Sequence, residues 1–503
     1  MHLDRAPDVI GVAPPARTEP RDDDLVPLEA CAGLDAAEVG RKASVLAWAA
    51  AEGLQTPGGL VLPASRFWAA LQAAGVHEQA RYLAAAALRL DPRHTADLAG
   101  NIHAALECSP VAELARVHAE AAFRRLSARP LVARSSSALE DGRNAAFPGV
   151  FLSRLDLMSA EALAEAIAAC WRSAFSPAAM QYLLRMRTEP IDFSLAVLIQ
   201  SQVQADWYGL YVSADPVTGT PTPVAEMTRE GPDALVGGSA AMTRARQSDD
   251  TWTIEPHEPA LALALARVSE LASRLSARVP GHLDIEFALP SASADPVLLQ
   301  CRPVTPARAS RARRAATTRS DHFVGRPCAP GVATGIALVS GDTAPGHAPR
   351  IALVERLTTN DFDLIFQHCG IIAANEVSPL SHAAILCREL GVPLVCGIGA
   401  DAARLAGSWI LLDGRSGVVE VLPRPPAAPD SSRLQEDVLY VADVELALLR
   451  LARKGPSVGR SPDRPLEQAL ARQLGAGRSH ILTVPLAPVE VQQLTSITQR
   501  RGA

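Results

Sequence analysis

The segment EVSPLSHAAILCRELGVPLVCGIG, residues 376–399, decides how this chain is read. Ser381 is a good helix N-cap, and AAILCREL follows with helix-forming residues. Gly391 is the expected residue just past the helix end, and VPLVCGI is a short apolar run suited to the next strand. His382 then falls in the first helical turn, at a helix start expected on the surface. Free backbone N–H groups and the positive dipole end collect at such a place, which favours an anion. A neutral imidazole there can attack phosphorus through a ring nitrogen, and the helix terminus would hold the resulting phosphoramidate. A lone histidine is more often a plain polar residue near a helix start, so the neighbourhood has to carry the case.

Outward from this segment, Gly and short β-runs dominate residues 323–422: GVATGIALVS, IALVER, GIIAANE, SWILLDG and GVVEVL. With helices between some of them, they predict a small α/β module. An Ala/Arg/Ser/Thr-rich stretch at 306–322 precedes it as a linker, with Arg308, Arg311, Arg313, Arg314 and Arg319 as solvated charges. PRPPAAPDSS follows it, and residues 423–503 read as that linker plus a small helical tail. Toward the N-terminus, residues 1–24 are Pro- and Asp-rich and read as a disordered leader with no apolar core of a signal peptide. Residues 25–125 are mostly helical in pattern, as in AAEVGRKASVLAWAAAEG and SRFWAALQAAGV, with TPGGLVLP a short strand between them. LVARSSS, AVLIQSQV, HLDIEFAL and PVLLQCRPV read as strands, and SAEALAEAIAACWRSAF as an amphipathic helix capped by Ser159.

The segment around His382 resembles the mobile phosphohistidine domain of the phosphoenolpyruvate synthase, pyruvate phosphate dikinase and rifampin phosphotransferase family. Ser381, His382, Ala383, Ala384, Arg388, Glu389, Leu390, Gly391 and Pro393 match that family's pattern in register. Upstream, GRPCAPGVATGIALV resembles the domain's opening strands, with Gly325, Gly331 and Gly335 in place. Downstream, LLDGRSGVVEVL resembles its closing hairpin, with Asp413, Gly414 and Gly417. One departure stands beside the nucleophile: Leu380 occupies the position of the family's threonine.

Residues 25–305 resemble the ATP-grasp nucleotide domain of the same family, segment by segment. EVGRKASVLAW implies Lys42 as the phosphate-binding lysine. LVARSSSALEDGRNAAFPGVFLS implies Arg134 on the phosphates, Gly149 in the loop that closes over them, and Ser153 at a nucleotide-contacting position. AVLIQSQVQADWYGLYVSADPVTG implies Gln200 near the base. HLDIEFAL and PVLLQCRPVT imply Glu286 and Gln300 at magnesium and phosphate, and Arg302 as a phosphate-binding arginine. Each residue alone is weak; their order and context carry the resemblance. Between 220 and 247 the chain departs from the family, and only Val236, Gly237 and Gly238 match.

The implied fold class is α/β and α+β multidomain. It has an ATP-grasp domain, then a swivelling β/β/α phosphohistidine domain and a small helical tail. The implied function is a dikinase-like, ATP-dependent phosphotransferase. ATP with magnesium would phosphorylate His382, which passes the group to an acceptor, with AMP and phosphate as by-products. The acceptor is a small molecule or sits on a separate protein, because the family's acceptor domain has no counterpart here. The two alternatives are a phosphocarrier half-enzyme and a non-catalytic nucleotide-binding module. The net charge of −6 offers no basic field for nucleic acid. No apolar run approaches about 18 residues, so no membrane span is expected. The eight cysteines form no CxxC pair and read as reduced thiols of a cytoplasmic protein.

Overall fold

Among the described residues the strands lie in three sheets. The computed structural model describes residues 21, 24–87, 90–141, 149–186, 193–237, 242–249, 251–304, 322–339, 342, 348–358 and 361–423. The readings of a leader, an Arg-rich linker and a helical tail lie almost wholly outside the described residues. Every contact discussed below lies within the unit that runs to Val421.

The apolar runs Leu131–Ser137 and Leu195–Ser201 pair antiparallel in the five-stranded sheet. Its order is Val26–Pro27, Gly59–Leu62, Leu195–Ser201, Leu131–Ser137, Ser153–Leu157. Alternation sends successive side chains to opposite faces. Val197 and Ile199 enter a core with the helices Ala64–Ala73, Ser109–Arg125 and Ala160–Ser173, while Ala196 and Leu198 enter a second core with the helix Ala36–Ala51. Ser159 caps Ala160–Ser173 as expected, accepting from the Ala162 N–H at 3.1 Å.

The helix Ala36–Ala51 departs from the uninterrupted helix expected of its pattern. Asp35 caps it, but the backbone leaves helical geometry at Gly40, with φ 76° and ψ 159°. A Cβ at Gly40 would lie 2.2 Å from the Ser136 backbone. Only glycine permits both that approach and that φ. The Ser136 hydroxyl stitches the junction, donating to the Val39 carbonyl at 2.8 Å and accepting from the Ala43 N–H at 3.1 Å.

The second sheet is antiparallel and six-stranded, in the order Val297–Pro303, Leu283–Leu289, Trp207–Val212, Val224–Thr228, Thr243–Ser248, Thr251–Glu255. Phe287, Ile285 and Tyr211 pack into one core with Leu261, Leu265 and Val268 of the helix Ala260–Leu275. Tyr208, Leu210, Val212 and Ala288 form a separate apolar cluster, and Leu380 packs into it.

The third sheet has eight strands, in the order His322–Val324, Val418–Val421, Trp409–Asp413, Val332–Val339, Arg350–Val354, Gly370–Ala373, Leu394–Cys396, Arg326–Ala329. From Val332–Val339 to Leu394–Cys396 the pairing is parallel, and the flanking strands pair antiparallel. The helix His382–Leu390 begins and ends as read from the sequence. Ser381 accepts from the Ala384 N–H, and Gly391 takes the left-handed conformation at φ 69°. Its start is not open surface, however. Ser381 is 2% exposed, because the turn before it is seated against the second sheet. All eight cysteines are free thiols. Among the described residues, no helix is long and apolar enough to cross a membrane.

Candidate functional site

The Gly40 break aims Lys42 inward along the strand Leu131–Ser137. Its ammonium donates to the Ser135 carbonyl at 2.9 Å and pairs with Glu140 at 3.4 Å. Arg134, on the same strand, reaches across to the second sheet. One Nη donates to the Leu299 carbonyl at 2.6 Å; the other meets Gln300 Oε1 at 2.6 Å and Glu286 Oε2 at 3.2 Å. Gln300 uses its amide NH₂ on both Asp141 oxygens, at 3.0 and 3.1 Å.

The second sheet supplies the opposite wall. Glu286 stands directly across from Gln300, and Asp284 from Arg302. Residues two apart on a strand share a face, so these four side chains form one polar patch. Arg302 Nε donates to Asp284 at 2.8 Å, and its Nη1 lies 3.8 Å from Asp141. Burial by itself would lower the Arg302 guanidinium, but Asp284, Asp141 and Glu286 outweigh it and push it up. Burial raises Asp141 and Glu140, with Lys42 pulling against it in both. So many buried charges cost folding free energy even when paired. Their concentration in one cleft makes it the candidate functional site.

His382 faces this patch from the third sheet's side. Burial pushes its pKa down to about 3, and the positive field of Arg302 acts in the same direction. Asp284 opposes, while Lys42 and Arg134 reinforce the fall. The ring is therefore neutral near pH 7 and keeps a lone pair for attack. A cleft between the two walls is lined by Asp284, Arg302, Leu380, Ile385 and Arg388 among others. Arg388 is itself buried, its Nη1 donating to the carbonyls of Cys328 at 3.0 Å and Pro379 at 2.6 Å.

The fold thus brings together Lys42, Arg134, Glu286, Gln300, Arg302 and His382. Ser153 is exposed directly opposite Arg134 on the neighbouring strand. Gly149 is exposed with φ 65°. Gln200 is buried, and its amide donates to the Pro57 carbonyl at 2.7 Å. The sequence reading passed over Glu140, Asp141 and Asp284. Each had a signal: the first two follow the serine run in SSSALEDG, and Asp284 shares strand alternation with Glu286.

The Glu286 carboxylate and the Gln300 amide oxygen are hard donors that converge on one cationic nitrogen of Arg134. That donor chemistry fits magnesium, which takes few protein ligands and completes its shell with phosphate oxygens and water. Among the described residues, no group of three or more His, Cys, Asp or Glu side chains could hold a metal ion.

Two stretches of the chain match known protein families. Residues 36–238 match the family described as pyruvate phosphate dikinase, AMP/ATP-binding domain, and residues 346–417 match PEP-utilising enzyme, mobile domain. The phosphoenolpyruvate synthase of Aeropyrum pernix is 26% identical over 59% of this chain and 46% of its own. That of Pyrococcus furiosus is 23% identical over 57% and 40%. The uncharacterized phosphotransferase YvkC of Bacillus subtilis is 36% identical over 21% of this chain and 13% of its own. The chain spans less than half the length of the two synthases.

Proposed function

We propose, for a chain that belongs to the phosphoenolpyruvate synthase and pyruvate phosphate dikinase family, that ATP phosphorylates His382 and that His382 hands the phosphoryl group to an acceptor. The observation that carries this reading is the position of the His382 ring. It belongs to the third sheet's module yet lies in the field of Arg302, Lys42 and Arg134.

In this reading residues 25–305 are an ATP-grasp domain, and residues 323–422 are a swivelling phosphohistidine domain on the 306–322 linker. Lys42, Arg134 and Arg302 neutralise the phosphates, where fixed cations in a water-poor cleft act at close range. Glu286 and Gln300 would hold magnesium, which would offset the negative charge of the phosphates. Arriving phosphates would draw Arg134 away from Glu286 and Gln300, freeing their oxygens for the metal. Gly149 lies in the loop that closes over the phosphates, Ser153 contacts the nucleotide, and Gln200 lies near the base. The neutral imidazole is the nucleophile. One water is consumed as AMP and orthophosphate leave, and one phosphoryl group stays on the ring.

The acceptor is a small molecule. A second reading is favoured by the short span of the match: the acceptor site sits on a separate protein, and this chain is a phosphocarrier half-enzyme. The two are told apart by chasing labelled protein, alone or with cell extract fractionated by size. Release of label to small molecules by the purified protein supports the first. Release only with a macromolecular fraction supports the second. The test of the shared core is labelling of His382 by ATP.

A further inference from the structure

Glu226 lies on the strand Val224–Thr228, two strands from Glu286, and the sequence reading gave it no role. Register makes its position informative. Gln300 stands opposite Glu286, Glu286 opposite Leu210, Leu210 opposite Glu226, and Glu226 opposite Arg244. These side chains therefore project from one face in one row. Neighbouring strands are about 4.8 Å apart, so Glu226 stands about 10 Å from Glu286.

Glu226 is 4% exposed, and its carboxylate accepts the hydroxyl of Ser378, a residue of the other module. Ser378 organises the turn that delivers His382. Its Oγ accepts from the Leu380 N–H at 2.9 Å, and its carbonyl accepts the Ser381 hydroxyl at 2.8 Å. Ser381 then caps the helix that opens with His382. Arg326 of the same module also approaches Glu226, at 3.8 Å. Beside this polar seat, Leu380 fills the apolar cluster of Tyr208, Leu210, Val212, Leu235 and Ala288.

We propose that Glu226 is a positioning residue: through Ser378 it seats the His382 turn on the sheet row that also carries Glu286 and Gln300, and so sets the imidazole against the nucleotide site. The role rests on the phosphotransfer reading above. Glu226 does not touch the reacting atoms. It fixes where the nucleophile-bearing turn lands, and a misplacement of about 1 Å can cost about a hundredfold in rate.

The test uses two phosphoryl donors on the full chain. One is ATP, which needs the seated pose. The other is phosphoramidate, a small donor that phosphorylates accessible histidine: its P–N bond breaks, ammonia leaves, and the imidazole nitrogen takes the phosphoryl group. In Glu226→Ala, single-turnover labelling of His382 by ATP is expected to fall tenfold or more with ATP affinity unchanged. Labelling by phosphoramidate is expected to rise, because the ring is uncovered. Glu226→Gln keeps an acceptor for Ser378 and is expected to recover part of the ATP rate. Should Glu226→Ala fail to fold, Ser378→Ala breaks the same bond from the other module. Both donors falling together, or neither changing, would overturn the proposal. A wild-type chain that takes no label from ATP, with phosphoramidate labelling still rising in the variant, would leave the seat standing and remove the reaction assigned to it.

Discussion

Arg134 and Glu286 meet at 3.2 Å although they stand on different sheets. The contact spans the cleft in which nucleotide is proposed to bind, and the proposed function gives each residue its own task there. Truncating Arg134 to Ala leaves developing phosphate charge unmatched, and labelling of His382 is expected to fall by about 10²–10³. The planar fork has no substitute, so added magnesium will not restore it. Glu286→Asp shortens the side chain proposed to hold magnesium, and raising magnesium is expected to recover part of its rate. Equal recovery of both variants would show the roles to be misassigned.

Gly40 gives a purely structural prediction. Gly40→Ala meets both an unfavourable φ and the Ser136 backbone at 2.2 Å, whereas Gly53→Ala meets only a φ of 73° with nothing within 4 Å. The second is expected to cost about 1 kcal/mol. The first is expected to cost at least about 2 kcal/mol more and to displace Lys42. Chemical denaturation of the two variants measures the difference. Equal losses would mean that the helix break is not packed on the strand.

Much of this was legible in advance, and the parts that were not share a cause. The helix His382–Leu390 was readable because its cap, Ser381, and its stop, Gly391, act within a few residues. The strands bearing Arg134, Glu286 and Arg302 were readable from apolar runs bounded by turn residues. The partners of those residues were not. Asp141 meets Gln300 across 159 positions, and Ser378 meets Glu226 across 152. Such pairings depend on how sheets face each other, which no local pattern encodes. The break at Gly40 was hidden for the same reason: its cause is Ser136, on another element.

Acid stability should report His118. The ring is fully buried, neither nitrogen has a hydrogen-bond partner, and burial pushes its pKa down to about 4 against the ordinary 6.5. The folded state thus favours the neutral ring. That stability is whole above pH 6.5 and is lost as pH falls toward 4. The full loss is roughly 3 kcal/mol, from 1.36 kcal/mol per unit. His118→Gln is expected to flatten the fall in unfolding free energy between pH 7 and 4.5. An unchanged slope would place the acid sensitivity elsewhere.

On the proposed mechanism His382 leaves the nucleotide site to reach a separate acceptor, so locking the modules should divide the reaction. Gln181 is half-buried and Asp363 exposed; they belong to the two modules and hydrogen-bond at 3.2 Å. Cysteines placed at both, in a Cys369→Ser background because Cys369 is exposed, can be bridged by a short bis-thiol reagent. The bridged protein is expected to take label from ATP but not to pass it on, and a cleavable bridge should restore transfer. Full turnover in the bridged state would mean that the acceptor binds beside the ATP site.

The most direct measurement is labelling with β- and γ-labelled ATP in separate tubes, in wild type and in His382→Ala. One label is expected to stay on the wild-type protein, acid-labile and base-stable as a phosphohistidine is. The other should leave as orthophosphate. Neither should stay on His382→Ala. Acid-labile, base-stable label persisting on His382→Ala, or no such label on the wild type, would contradict His382 as the phosphoryl carrier.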